Sequence, residues 1–425
     1  MASAAGGCVL AVGGAYVLHR WPWALAFATL ACIPLRLPVD VGTEEANLLL
    51  PLYVVIASSA LALAWQLLRH DRRTRELGVV AWALAAVVAW SGLALVWSDD
   101  LRQGAIFLAA FVLPFGLLAI GFARLPWSRR ALLALYAALV ATALAYAGVG
   151  LYQWVTREIF WNPKLRVDNA YAPFFRVNSV FWDPSIYGRY LVIAILATLA
   201  LVLLGLRERL LAFGLAAIAA IWAGLLFSFS QSSFAALIAG TLAAAAVTWR
   251  WRAVTALAVL SVALVSAGFA TPPVRNELLQ ESRAGLNSVT SDRAGLVGNG
   301  LRIAVDHPVL GVGTGGFKRA YAERTGLRGE EPKKAASHST PVTVVAETGV
   351  PGLVLLAWLG LASLWPAFRA RGRSAAGRAA LVAALTLGAI AVHSLFYNAL
   401  FEDPTTWALL GLVALATTQR ARESA

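Results

Sequence analysis

The sequence predicts an all-α polytopic membrane protein of about twelve transmembrane helices with one long helical loop between them. Three observations predict it. First, 60% of residues are hydrophobic and only 13% are charged, for a mean hydropathy of +0.71. Average soluble domains carry about 25% charge, and half of that leaves too little polar surface to solvate a globule of this size. Second, uncharged apolar runs long enough to cross a ~30 Å hydrocarbon core recur along the chain. Third, every second short connection between them is basic, the pattern that marks the inner side of a membrane. The 16 Trp suit two lipid–water interfaces, where an indole sits half buried and half wet.

The expected spans lie near 48–68, 78–97, 104–125, 131–154, 190–206, 211–228, 232–249, 254–270, 350–368, 379–398 and 405–418. The first 35 residues hold two shorter runs, 4–18 and 22–35, split by His19-Arg20-Trp21-Pro22. No basic start precedes the first run, which argues against a cleaved signal peptide. Arg69-His70-Asp71-Arg72-Arg73 is the clearest inner loop. Alternation from it places the basic loops at 128–130, 207–209, 250–252 and 369–373 and the tail Gln419-Arg420-Ala421-Arg422 on the same side. The outer side receives Ser98-Asp99-Asp100 and two long segments, 155–189 and 271–349. The chain thus divides into an N-terminal bundle (1–154), a first outer segment (155–189), central spans (190–270), a large outer loop (271–349) and C-terminal spans with an inner tail (350–425).

Cys8 and Cys32 both lie in apolar segments and build neither a disulfide framework nor a metal cluster. His19, His70, His307, His338 and His393 show no HxxxH spacing, so no protein-bound metal or other cofactor is expected. The net charge of +13 sits in membrane loops, which argues against nucleic acid as its cause. The outer segments are basic too: 271–340 holds ten Lys and Arg against seven Asp and Glu. Long loops translocate regardless of charge, so the topology stands. Their charge reads either as ordinary solvated loop or as a surface for an anionic, phosphate-bearing lipid.

Segment 155–189 mixes Phe160, Trp161, Tyr171, Phe174, Phe175, Phe181, Trp182 and Tyr187 with charge. That composition suits a segment lying on the interface and a sugar-binding groove equally. Arg189 enters a span, either snorkelling at a helix end or offering phosphate the planar fork of a guanidinium. Ser291 or Asp292 is expected to cap a helix from about Arg293 to Val305, carrying Arg293 and Arg302 and stopped by Pro308. A cation in a first turn opposes the helix dipole, so Arg293 is poorly explained by structure alone. Gly311, Gly313, Gly315 and Gly316 then read as a flexible loop, a weak nucleotide signal with no strand–loop–helix unit behind it. His338, at the junction of loop and span, reads either as a polar loop residue or as a base that takes a proton from a hydroxyl. His307 reads as a charge partner for a helix C-terminus, and His393 as a hydrogen-bonded structural residue in mid-span.

The stretch 338–352, His-Ser-Thr-Pro-Val-Thr-Val-Val-Ala-Glu-Thr-Gly-Val-Pro-Gly, resembles the H-[NSQ]-x9-G-x-x-G motif of the O-antigen ligase family, a superfamily that also holds O-antigen polymerases and protein O-oligosaccharyltransferases. The S-x-R and D-H-P-x-L-G-x-G-x-x-x-F patterns within 291–317 are similar to that family's external loop, and 181–191 resembles its earlier loop, where an arginine enters a span. The resemblance covers the chain from about residue 150 onward. Two departures stand: Ile193 follows Arg189 where the family often has Leu, and Ser230-Gln231-Ser232-Ser233 replaces a Ser-Arg pair.

The resemblance implies a fold like the GT-C-type glycosyltransferases and a bacterial inner-membrane enzyme, multi-pass, with its site facing the periplasm. It implies an undecaprenyl-diphosphate-linked glycan as donor, lipid A-core oligosaccharide as acceptor, and inverting transfer without metal or other cofactor. By position, His338 is the base or acceptor-orienting residue. Arg189 and Arg293 clamp the diphosphate, with Arg176 and Arg302 as helpers, while Glu347 and Asp183 orient partners or acceptor hydroxyls. Polymerases and protein oligosaccharyltransferases share the donor, so the acceptor is the open question. A transporter or flippase would show inverted repeats or mid-span charge, and neither is seen.

The topology is testable with single cysteines at positions 164 and 320 in a chain lacking Cys8 and Cys32. An impermeant thiol reagent is expected to label both once the outer membrane alone is permeabilised. Labelling only after inner-membrane lysis would overturn the orientation.

Overall fold

The computed structural model describes residues 2–41, 44–70, 78–171, 174–205, 208–249, 255, 293–326, 337–370 and 374–424. Apart from Thr255, the span expected over 254–270 lies outside them, as do the expected caps Ser291 and Asp292. In chain order come α1 (Ala2–Arg20), α2 (Ala24–Cys32), β1 (Leu37–Val41), β2 (Glu44–Leu48), α3 (Leu50–Leu68), α4 (Val80–Leu93), α5 (Leu101–Phe107) and α6 (Leu113–Ala123). There follow α7 (Arg129–Thr156), α8 (Pro163–Tyr171), α9 (Pro184–Leu203), α10 (Glu208–Leu226) and α11 (Gln231–Trp249). Beyond residue 292 come α12 (Arg293–Asp306), α13 (Phe317–Thr325), α14 (Thr340–Ala370), α15 (Ala375–His393) and α16 (Pro404–Ser424). The all-helical expectation omits β1 and β2, an antiparallel hairpin pairing Leu37 with Leu48 through Val41 with Glu44.

Among the described residues, seven helices are long and apolar enough to cross a membrane: Leu50–Leu68, Leu101–Ala123, Arg129–Thr156, Pro184–Leu203, Gln231–Thr248, Thr340–Arg369 and Ala375–His393. The chain is a multi-pass membrane protein. The spans expected over 78–97 and 211–228 are the shorter apolar helices Val80–Leu93 and Leu210–Leu226. Two further expectations are corrected. The helix expected from residue 350 begins at Thr340. The one expected through 398 stops at His393, which places that histidine at a helix end rather than in mid-span.

Segments far apart in the chain meet at each end of the bundle. Trp23 Nε1 donates to the Pro126 carbonyl at 3.0 Å on the basic side. At the other end Arg36 Nη2 donates to the Glu402 carbonyl at 3.3 Å, and the Thr340 amide to the Ser394 carbonyl at 2.8 Å. The pillar of the bundle is α9, with 78% of its membrane window buried against 11% for α7. It packs against α7, α10, α11 and α15, and close approach is set by small residues such as Gly188 facing Ser233.

Proline breaks two helices, and other segments repair the ladder. Pro114 in α6 has no N–H for the Ala110 carbonyl. The π-helical turn Leu108–Val112 lies there, and Tyr53 Oη donates to that oxygen at 2.7 Å. In α14 the kink falls at Gly349 (φ 68°, ψ −174°), two residues before Pro351. The Glu347 carbonyl, which Pro351 cannot serve, accepts from the Gly313 amide at 2.8 Å. The Ala346 carbonyl accepts from the Val312 amide at 2.9 Å, and the Val350 amide donates to the Pro308 carbonyl at 2.8 Å. Trp90 Nε1 donates to the Thr348 carbonyl at 2.9 Å. Bilayer interiors tolerate broken helices only where protein satisfies the freed groups.

The glycine loop is therefore packed between helices. Residues 308–313 lie along the broken turn of α14. Ser98 Oγ donates to the Thr314 carbonyl at 2.8 Å and Thr314 Oγ1 to the Ser91 carbonyl at 2.7 Å. Gly315 has φ +85°, and a Cβ there would stand 2.3 Å from the Gly104 amide nitrogen. Gly326, at φ +69°, has open space around it. Gly315→Ala is therefore expected to destabilise the protein by more than the roughly 1–3 kcal/mol of left-handed strain, and Gly326→Ala by that strain alone. Thermal unfolding in detergent checks the order; equal melting points would refute the packed loop.

Candidate functional site

The ends of α9, α11, α14, α15 and α16 on the side that loop charge assigns as outer enclose a buried polar corner. Two of these helices begin alike. Asp183 caps α9, its carboxylate accepting from the Ser185 amide at 2.6 Å, with Pro184 in the first turn. Asp403 caps α16, accepting from the Thr405 amide at 2.9 Å. Pro suits a first helical turn, where its missing N–H is unneeded. The second turn of α9 brings in Arg189, 2% exposed. Its Nε meets Asp403 Oδ2 at 2.9 Å, an ion pair buried on both sides. Its Nη1 and Nη2 are buried and have no hydrogen-bond partner. Arg189 is thus no snorkelling cation: it is held inward by one carboxylate with the two-nitrogen face of its fork unused.

What surrounds that fork favours an anion. The first turns of α9, α14 and α16 bring positive dipole ends to the corner. Buried and unpartnered hydroxyls, Thr340 Oγ1 and Thr406 Oγ1, stand in two of those turns. The Tyr397 ring lies 5.9 Å from Arg189 Cζ. Burial, and behind it the Asp183 and Glu402 carboxylates, push the Tyr397 phenol above its ordinary range against Arg189 and Arg36, so it stays neutral. Glu402 is likewise pushed up by burial, opposed by Arg36, Lys318 and Arg189.

His338 stands at the mouth of α14. Its φ is +53°, a left-handed conformation that histidine adopts more readily than most residues. Its neighbours fix it there. Ser337 Oγ accepts from the Ser339 amide at 3.1 Å and lies 2.5 Å from Thr343 Oγ1, while Ser337 and Ser339 are buried. The 2.8 Å bond from the Thr340 amide to the Ser394 carbonyl joins this turn to the loop carrying Tyr397 and Asp403. Below it a cavity of about 210 Å³ opens, lined by Thr340, Thr343, Glu347, Lys318, Asn398 and Glu402 on its polar side and by Trp90, Phe107 and Phe401 on its apolar side. Carboxylates and amides beside aromatic faces are what a saccharide ring needs.

The other expected residues are distributed unevenly. Glu347 lines the cavity, and its Oε1 accepts from the Phe317 amide at 3.3 Å, capping α13 from a distance. Arg176 reaches the corner from behind: its Nε donates to the Ser228 carbonyl at 3.2 Å, and the Ser228 hydroxyl lies against Gly188. Arg302 is exposed on α12 and bonds Asn299 at 3.5 Å, outside the corner. Arg293 is the first residue of α12, with its side chain outside the described residues. The helix carrying it packs on α14, where Gly300 faces Val342. His307 is exposed after the end of α12. The sequence reading missed Asp403, Tyr397, Glu402 and Lys318. The repeat of Asp-Pro-Ser at 183–185 as Asp-Pro-Thr at 403–405 is the signal that would have found the first.

Residues 192–357 match the family described as O-Antigen ligase. The matched stretch begins three residues past Arg189, contains Arg293, Arg302, His338 and Glu347, and ends within α14. No protein of curated function matches the chain.

Removing one partner of a buried ion pair leaves a naked charge, at about 3–5 kcal/mol. Asp403→Ala is expected to lower the melting temperature sharply. The pair Arg189→Met with Asp403→Leu is expected to regain most of that loss. Thermal unfolding of both in detergent checks this, and an unchanged melting point for Asp403→Ala would deny the pair its structural weight.

Proposed function

We propose that this chain, matched over residues 192–357 by the family described as O-Antigen ligase, transfers a glycan from undecaprenyl diphosphate to lipid A-core oligosaccharide on the periplasmic face of the inner membrane. The observation that carries the reading is the buried Arg189 with Nη1 and Nη2 unpartnered. A planar fork, pinned at Nε and surrounded by helix N-termini, fits the oxygens of a diphosphate.

In this reading an acceptor hydroxyl oxygen forms a bond to the anomeric carbon of the donor glycan while the bond from that carbon to the diphosphate oxygen breaks. The configuration inverts and undecaprenyl diphosphate departs. Arg189 and Arg293 take up the charge that grows on the leaving oxygens, with Arg176 and Arg302 more remote. His338 accepts the hydroxyl proton or orients the hydroxyl, and the neighbouring cavity, with Glu347 on its wall, receives the acceptor sugar. The family also covers transfer to a growing glycan. The outer segments 155–189 and 271–349 are short in sequence, which favours lipid A-core as acceptor.

The test offers lipid-linked glycan to the purified chain with lipid A-core, a second lipid-linked glycan and a peptide in separate reactions. Product on lipid A-core alone is expected; growth of the lipid-linked glycan instead would make the chain a polymerase. In the productive reaction His338→Ala is expected to lose about 10²–10⁴-fold in turnover with donor affinity kept. His338→Gln near the wild-type rate would remove the proton-accepting role and keep the orienting one.

A further inference from the structure

One buried hydroxyl departs from the habit of the helical threonines around it. Thr142, Thr198, Thr248, Thr386 and Thr417, inside α7, α9, α11, α15 and α16, each donate Oγ1 to the carbonyl four residues earlier, at 2.7 to 3.0 Å. A helix offers threonine that bond from its own ladder. Thr406, in the first turn of α16, is 4% exposed, and its Oγ1 has no hydrogen-bond partner among the described residues. The carbonyl four residues before it belongs to Glu402 and takes Arg36 Nη2 at 3.3 Å instead.

Thr406 also sits beside the ion pair that fixes Arg189. Its amide donates to the Asp403 carbonyl at 3.1 Å. Asp403 caps α16, so Thr406 is the third residue of the helix, a position whose side chain turns back over the cap. The cap carboxylate is already engaged: Oδ1 accepts from the Thr405 amide at 2.9 Å, and Oδ2 meets Arg189 Nε at 2.9 Å. Arg189 Nη1 and Nη2 are buried and unpartnered as well. The hydroxyl and the two guanidinium nitrogens thus flank one carboxylate with their donors unused.

We propose that Thr406 is a further ligand of the donor diphosphate, its hydroxyl donating to a phosphate oxygen beside those held by Arg189. The proposal rests on the diphosphate reading of Arg189. A buried hydroxyl without a partner is costly, and the oxygens of a diphosphate each accept several bonds. Because no protein group holds Oγ1, its hydrogen turns to an incoming acceptor without breaking a bond. A hydroxyl adds a directed bond and no charge, so it does not compete with Arg189 for Asp403 as a second cation would.

An isosteric replacement separates ligand from scaffold. Thr406→Val puts a methyl group in place of the hydroxyl, and Thr406→Ser keeps the hydroxyl. Binding of undecaprenyl diphosphate to the full chain in detergent is measured for wild type, Arg189→Ala and both variants, together with the melting temperature of each without ligand. Thr406→Val is expected to bind about 10- to 100-fold more weakly, and to melt at or above the wild-type temperature, because it loses no bond within the protein. Thr406→Ser is expected to bind within a few-fold of wild type. A ligand-free Thr406→Val that melts well below wild type makes the hydroxyl a structural group and overturns the proposal. Wild-type affinity in Thr406→Val, with Arg189→Ala weakened, removes the role of Thr406 and leaves that of Arg189. Equal binding by wild type and Arg189→Ala removes the diphosphate reading itself, and this proposal with it.

Discussion

A guanidinium buried near the membrane end of a helix must be neutralised, and the outer half of this protein is arranged around that demand. Arg189 lies on α9, the most enclosed of the spanning helices, where an unpaired charge would cost several kcal/mol. Asp403 supplies the neutralising charge, and it is fixed by its own work as the cap of α16. One carboxylate thus settles where two helices meet. Because Asp403 engages only Nε, the ion pair holds the guanidinium without consuming it. The remaining donors keep their capacity for a ligand.

How far the molecule could be read from its sequence follows from which forces are local. Apolar runs report burial in lipid residue by residue, so α3, α7 and α11 fall close to their expected bounds. Helix ends set by long-range partners do not. The start of α14 at Thr340 depends on the Ser394 carbonyl and the Ser337 turn, and the end of α15 at His393 on Ser232. Polar residues at those ends read as loop or span depending on contacts that lie elsewhere in the chain. The same limit applied to the candidate site. The histidine and arginines stood out by type and position; Arg189 stands in the corner, Glu347 lines the cavity, and His338 precedes Thr340 of that lining by two residues. Arg302 lies outside both, because facing inward or outward on a short extramembrane helix is decided by what packs against it. Asp403 escaped notice because its value lies in a partner 214 residues away along the sequence.

The glycines of 311–316 were misread for a related reason. Glycine permits both flexibility and close approach, and sequence alone does not choose. The choice here is made by Pro351 and Gly349, which open the α14 ladder and leave carbonyls that need donors. The Val312 and Gly313 amides and the Trp90 indole provide them, and the positive φ at Gly311, Gly313 and Gly315 lets that backbone come close. Tyr53 repairs the break at Pro114 with a phenol instead. The two repairs show why an interrupted span is compatible with lipid.

The break in α14 also divides the helix into two cooperative units. Residues 340–349 bond to the extramembrane loop through Val312 and Gly313, whereas the segment beyond Pro351 is held by lipid-facing and interhelical packing. Local openings propagate along continuous hydrogen-bond ladders, and the ladder here runs out of the helix and into the loop. The turn bearing His338 therefore shares its fate with Pro308–Gly316 more than with the rest of its own helix. A foldon boundary passes through what is, by its length, a single span.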